Sequence, residues 1–282
     1  MTQTKIARKR GSQFHVVAAG ENLPLCFTNL VTTDGVTREV IRITGGCKNI
    51  SQEIVDGLPA YFLSAFKGFT GTAFSGGTAN FNDDHSLKGF MVTNVPGLLA
   101  EHENCIAIST TPRTDFMSLH PTLGAVVMDD HDTRQDHRQH GNVVVQQNAS
   151  DALDWDGDLD TYFTLMTGWK DAGFKVAIIA LNGGGVTKKE IYGALSRGIP
   201  VIAVEGSLRE TDEFIKAFRA GTAKVTDSAS GEEKAVDASL VSIVSIGDAA
   251  ALRKALIERG IVHEAATSTP AEADEAAAPQ SK

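Results

Sequence analysis

In five places an apolar run of strand length ends in a glycine pair or triplet, a Gly-Ser or a Pro-Arg. They are Gly45-Gly46, Gly76-Gly77, Pro112-Arg113, Gly183-Gly184-Gly185 and Gly206-Ser207. Glycine permits positive φ and lets a ligand approach the backbone closely. Strand-to-helix turns favour glycine anyway, but several such turns in one parallel sheet would line a single rim. The cations repeat the hint. With an N-cap at Gly185 or Val186, Lys188 and Lys189 fall in the first helical turn; with one at Ser207, so does Arg209. Cations there oppose the helix macrodipole by about 0.3–1 kcal/mol each. An anionic ligand reverses that sign, so the pattern predicts a phosphate-like group near two adjacent turns. Thr187-Lys188-Lys189-Glu190 and Ser207-Leu208-Arg209-Glu210 also fit the capping-box pattern. Glu190 is thus either a cap for a backbone amide or an acid facing a sugar hydroxyl or a reacting centre.

Other chemistries find less support. Asp129–His140 carries His131, His137 and His140 among four aspartates, but the spacing fits no metal motif, and a solvated loop is expected with no metal. There is no Gly-x-Ser-x-Gly elbow and no P-loop lysine. The 282 residues carry a net charge of −9, which argues against a general nucleic-acid binder. Three scattered cysteines suggest a reducing compartment. No apolar run reaches the roughly 20 residues of a membrane span, and none after the basic start suits a signal peptide. The expected location is the cytoplasm.

These turns need a sheet to hold them. The stretch Phe174–Asp212 reads as a βαβ unit: strand Val176–Leu181, a helix stopped by Gly198-Ile199-Pro200, and strand Val201–Val204. Glu39–Thr44, Thr72–Phe74, Cys105–Ser109, Asn142–Gln147 and Leu240–Ile246 read as further strands, with Phe14–Ala19, Leu23–Leu30 and Leu123–Met128 as shorter ones. Helices are expected from Ser51 to about Phe66, with Ile54, Leu58, Tyr61, Phe62 and Phe66 on the buried face and a kink at Pro59. Others are expected over Lys88–His102, interrupted near Pro96, and over Asp158–Ala172, Thr211–Ala220 and Asp248–Arg259. Ala223–Asp237 reads as an excursion or hairpin. The expected architecture is α/β: a Rossmann-like three-layer sandwich with a mostly parallel central sheet, spanning 14–263. A flexible arm (1–13) precedes it, and an Ala/Glu/Pro-rich tail (264–282), expected to be disordered, follows.

The motifs ITGGCKN, GTAFSGGTANF, CIAIST and IALNGGGVTKKEIYGALSRGIPVIAVEGSLRETD resemble the SLOG superfamily. That group joins the LOG phosphoribohydrolases, the DprA/Smf proteins and the N-terminal domain of TRPM channels; the TRPM-type branch, with its stand-alone prokaryotic members, is most alike. The resemblance runs from about Glu39 to Gly260. It implies a Rossmann-like fold that binds nucleotides or their derivatives. Gly45, Gly46 and Asn49 would lie under one part of the ligand, with Gly76, Gly77 and Thr78 forming a second turn. Gly183, Gly184, Gly185 and Thr187 would cradle phosphate. Glu190 matches the last acid of the LOG-type GGxGTxxE pattern, and Gly206, Ser207, Arg209 and Asp212 match the TRPM-type GSGRxxD. Arg113 is the candidate for the LOG catalytic arginine. Three departures stand out: Asn182 in place of proline, Val186 in place of the glycine before Thr187, and Leu208 in place of the second glycine of the TRPM-type motif.

Three functions follow as expectations. The first is binding or sensing of an ADP-ribose-like or other nucleotide ligand, with no further cofactor. The second is cleavage of a nucleotide N-glycosidic bond, with Glu190 catalytic. The third, single-stranded DNA binding, is opposed by the acidic balance and by the lack of basic residues interleaved with aromatics. Whether the chain is an enzyme stays open at this level, as does a homo-oligomeric state, for which related folds offer only analogy.

Overall fold

The structure is a computed structural model that describes residues 4–9, 12–17, 37–76, 78–80, 89–111, 125–127, 133–136, 142–146, 155–226 and 230–264. The strands are β1 (Thr4–Lys9), β2 (Ser12–Val17), β3 (Glu39–Gly45), β4 (Thr72–Ser75), β5 (Thr78–Asn80), β6 (Ile106–Thr111), β7 (Ala125–Val127), β8 (Thr133–Asp136), β9 (Asn142–Gln146), β10 (Lys175–Leu181), β11 (Val201–Glu205), β12 (Lys224–Thr226), β13 (Glu233–Ala235) and β14 (Val241–Ser245). The helices are α1 (Gln52–Ala65), α2 (Val95–His102), α3 (Trp155–Asp171), α4 (Gly185–Ser196), α5 (Arg209–Arg219) and α6 (Ala249–Glu258).

Nine strands form one sheet in the order β1-β2-β9-β6-β4-β3-β10-β11-β14. Every pairing is parallel except β1 with β2 at one edge. Thr4–Lys9, inside the stretch expected to be an arm, is that edge strand. Parallel strands buried on both faces read as β-branched runs, and β3 and β10 do so: EVIRITG and KVAIIAL. Alternate residues then serve opposite layers. Ile41 and Ile43 pack with Leu58, Phe62, Leu99 and Leu256 under α1, α2 and α6. Val40, Ile178 and Ala180 pack with Met166, Trp169, Ile191 and Phe214 under α3, α4 and α5. The result is the expected three-layer Rossmann-like sandwich. Burial of each large side chain contributes about 1.5–3 kcal/mol.

The central pair positions the site. From β3 the chain moves towards β4; from β10, paired with β3, it moves the other way, to β11. Their following helices lie on opposite faces, so a crevice opens outside the carboxyl ends of β3 and β10.

Some local expectations are corrected. The helix expected from Lys88 begins only at Val95, after a 3₁₀ turn at Val92–Asn94. Pro96 stands in its first turn, where a missing amide costs nothing, and so starts the helix rather than interrupting it. On α1 the buried residues are Val55, Leu58, Tyr61, Phe62 and Ala65; Ile54 is left 37% exposed. Ala223–Asp237 holds the β12–β13 hairpin. Leu23–Leu30, the tail beyond Glu264, and all of the histidine-rich loop except Thr133–Asp136 lie outside the described residues.

Candidate functional site

The crevice holds two hollows that meet at Gly45 and Gly184. The larger, about 480 Å³, is lined by Gly46, Cys47, Lys48, Val55, Phe90, Met91 and Arg209 among others. The smaller, about 230 Å³, lies on the α3/α4 side and is lined by Arg42, Thr44, Gly76, Thr93, Tyr162, Thr187 and Glu190. The larger hollow thus combines Phe90, Met91 and Cys47 with the basic Lys48 and Arg209, and the smaller sets the buried Arg42–Glu190 pair beside Thr44, Thr93 and Tyr162.

Between them stands the start of α4. Its N-cap is Gly184, one residue before Gly185 and two before Val186, the caps expected from the spacing. The first backbone bond of the helix runs from the Lys188 amide to the Gly184 carbonyl, at 3.0 Å. The amides of Gly184, Gly185, Val186 and Thr187 take no acceptor among the described residues. Four such donors at the positive end of a helix dipole form an anion-binding site. The Arg209 guanidinium leans over it: a Cβ on Gly184 would stand 3.3 Å from its Nη2. Two glycines are obligatory here. Gly45 has φ +134° and backs onto β10 so closely that a Cβ would lie 1.8 Å from the Leu181 carbonyl oxygen; Gly183 has φ +78°, and its Cβ would meet Thr187 at 2.2 Å.

The second predicted phosphate turn is closed. Asp212 accepts hydrogen bonds from the Gly206 and Leu208 amides, both at 3.0 Å. The helix there is capped at Leu208, not Ser207. Ser207 is fully buried; its hydroxyl accepts the Asn182 amide at 2.8 Å. Both capping-box readings fail for the same reason: each helix starts at a different residue from the one the pattern needs. Leu208 and Arg209 have φ of 69° and 58°, values that strain L-residues by about 1–3 kcal/mol each.

Glu190 caps nothing. It is 1% exposed and its Oε1 accepts from Arg42 Nη2 at 2.6 Å, while Thr44 Oγ1 donates to Oε2. The Arg42 guanidinium is also stacked 3.7 Å from the Tyr162 ring centroid and 5.0 Å from that of Phe74. Burial pushes the Glu190 carboxyl above its ordinary range, and the charge and hydrogen bond of Arg42 pull it back. Gly76 opens this pocket from the side: a Cβ there would stand 2.7 Å from the Tyr162 hydroxyl.

Of the predicted residues, the crevice brings together Gly45, Gly46, Gly76, Gly183, Gly184, Gly185, Thr187, Glu190 and Arg209. Asn49 is an exposed turn residue with φ 68° and does not line either hollow. Gly206 is set aside by its bond to Asp212. Thr78 opens β5, whose partner is β8 in a separate three-stranded sheet. Gly77 and Arg113 lie outside the described residues. Arg42, Thr44, Tyr162 and Asn182 escape the motif reading. A signal existed for the first: an arginine inside the apolar run EVIRITG must be buried, and buried arginine needs a partner.

Asn182 ties the rim together. With φ 61°, it donates through Nδ2 to the Lys48 carbonyl at 2.9 Å and to the Ser207 carbonyl at 2.6 Å. Its own carbonyl accepts the Thr211 amide and hydroxyl, at 3.1 and 2.9 Å. Three loops thus hang on one side chain and its backbone.

Cys47 gives a direct probe of the larger hollow. Burial pushes its thiol up to about 11, and that of Cys105 to about 12. Only the thiolate is nucleophilic. Iodoacetamide is therefore expected to label Cys47 about a hundredfold more slowly at pH 8 than a thiol at its ordinary value of 9.0. The rate should climb with pH and level off only near 11. Peptide mass spectrometry reads it site by site; a plateau below pH 9 would refute the burial.

No protein-family model matches this chain, and no curated protein matches it at a significant level. Some solved structures are distantly similar to it. A structural-genomics protein, TM1055, is 16% identical with a TM-score of 0.44, over 78% of this chain and 99% of that one. Two structures of the molybdenum cofactor carrier protein from Chlamydomonas reinhardtii are each 15% identical, with TM-scores of 0.42 and 0.44, over 79% of this chain and 98% of theirs. Likenesses this distant leave the fold and the ligand to be argued from the chain's own sheet and site.

Proposed function

We propose that the crevice binds a nucleotide derivative of the ADP-ribose kind, with its phosphates over Gly184–Thr187. One observation carries this reading: the open amides of α4 stand between two hollows rather than at the end of one. A nucleoside monophosphate carries its anion at one end and fills a single hollow. A diphosphate-bridged molecule carries its anion in the middle and fills both. The larger hollow, with Phe90, Met91 and Val55, suits a flat base; the smaller, with Thr44, Thr93 and Glu190, suits a sugar. The likeness of the motifs to the TRPM-type branch supports the same choice.

Isothermal titration at fixed, moderate salt tests it. ADP-ribose is expected to bind at least about tenfold tighter than AMP or ribose 5-phosphate. Arg209→Gln is expected to weaken it about tenfold, the worth of one charge-assisted hydrogen bond, with the thermal transition unchanged because Arg209 is exposed. Absence of binding by all three compounds removes the proposal.

A second reading, cleavage of an N-glycosidic bond, is favoured by the place of Glu190 in the sugar-sized hollow and by its upward-shifted carboxyl. Against it, both carboxylate oxygens are already held by Arg42 and Thr44. Adenine release from AMP, followed chromatographically with wild type and Glu190→Gln, decides between them.

A further inference from the structure

Helix α1 walls two hollows at once. Gln52 and Val55 line the larger hollow of the crevice. Ile54, Gly57, Leu58 and Tyr61, on another face of the same helix, line a separate groove of about 430 Å³, closed by Ile246 and Gly247 before α6. The size falls within the range of small-molecule sites, and the lining is mostly apolar, as in such sites, with the Tyr61 hydroxyl just behind its surface. Gly57 and Gly247 leave it roomy: a Cβ on either would meet nothing within 4 Å. Tyr61 is 5% exposed, and its hydroxyl is closed to water with no hydrogen-bond partner among the described residues. A buried hydroxyl left so is costly. Glu53 and Asp56 are exposed on the same helix, and Asp248 follows Gly247, so the surrounding charge disfavours an anion.

The first turn of α1 is capped by Ser51, whose hydroxyl accepts the Ile54 amide, but it is joined weakly to the turns that follow. Pro59 has no amide to bond the Val55 carbonyl, and Gly57 lowers helix propensity two residues before it. The segment that separates the groove from the crevice therefore has a hinge at its base.

We propose that this groove binds a neutral, ring-sized apolar molecule bearing one hydrogen-bonding group, and that its occupation shifts the first turn of α1 against the larger hollow. The Tyr61 hydroxyl supplies the hydrogen bond as that turn gives. The groove is distinct from the nucleotide reading of the crevice and does not depend on it.

Indole is the probe, with indole-3-acetate as its anionic counterpart, added to the full-length 15N-labelled chain. Saturable amide shifts are expected at Gly57, Ala60, Gly247 and Ala249, spreading to Gln52 and Val55. Indole-3-acetate should bind more weakly. Gly57→Leu fills the groove without a clash and should abolish the shifts; Tyr61→Phe should weaken indole about fivefold, the worth of one neutral hydrogen bond. The proposal is overturned by the absence of saturable shifts, by shifts that persist in Gly57→Leu, by equal affinity in Tyr61→Phe, or by self-association covering the groove in sedimentation velocity. Inorganic phosphate titrated into the same sample reports on the α4 amides separately, so failure of the groove is distinguishable from failure of the crevice.

Discussion

Arg42→Met is expected to lower the unfolding free energy by about 3–5 kcal/mol, the usual cost of leaving one member of a buried ion pair without the other. Glu190 is 1% exposed, and Arg42 is its charged partner at 2.6 Å. The lost stacking on Tyr162 and Phe74 adds to the deficit. Arg42→Lys should recover little, because an ammonium cannot both stack on Tyr162 and present Nη2 to the carboxylate. Arg42→Met combined with Glu190→Leu should regain most of the loss, since apolar replacement of a buried pair is often neutral or better. The pH dependence has a definite sign. Burial already raises the Glu190 carboxyl, and removing Arg42 raises it further. A folded-state value above the unfolded one favours the native state at low pH and loses that contribution as pH rises through the folded value. The deficit of Arg42→Met should therefore be smallest in acid and widen towards neutrality. Denaturant titrations at several pH values check it; a pH-independent deficit, or a double variant no better than the single one, would exclude this account of the pair.

At Asn182 the expected order of stability is Asn, then Gly, then Ala, with Pro far below. Asn182→Ala loses the two Nδ2 hydrogen bonds to Lys48 and Ser207, each worth about 1 kcal/mol, and holds an alanine at φ 61° for about 1 kcal/mol more. The total is about 3 kcal/mol. Asn182→Gly loses the same bonds without the backbone strain. Asn182→Pro cannot reach that φ at all and removes the amide that Ser207 accepts; no cooperative transition is expected from it. Urea unfolding ranks the four. Alanine as stable as asparagine would mean that the rim does not hang on this side chain. The loop enters the crevice in a left-handed conformation, φ 61° at Asn182, that proline is denied.

The sequence was most legible where one residue type answers one local need. The apolar runs of β3, β10 and β11 announce buried parallel strands, and the glycines at 45 and 183 mark close backbone approach and positive φ. It was least legible where two helix starts had to be fixed to a single residue. Thr187-Lys188-Lys189-Glu190 satisfies the capping-box pattern, yet Gly184 caps the helix and Glu190 turns inward to Arg42, 148 residues away in the chain. No local rule can choose between a nearby amide and a distant guanidinium, because the choice depends on how β3 and α4 pack.

The chain by itself determined the α/β class and the glycine rim, since hydrophobic period and turn chemistry act over a few residues; Lys188 and Lys189, expected beside the anion, line neither hollow, and Lys188 faces Glu210 at 3.8 Å. Only the tertiary structure decided which turns stay open to an anion. Asp212 takes the amides of one, the divergence of the chain after the paired strands β3 and β10 leaves those of the other uncovered, and Arg42 and Tyr162 join the site because alternate faces of buried strands bring distant residues together. Hydrogen bonds and ion pairs in an interior are allotted by proximity in space, and that proximity exists only once the layers have packed.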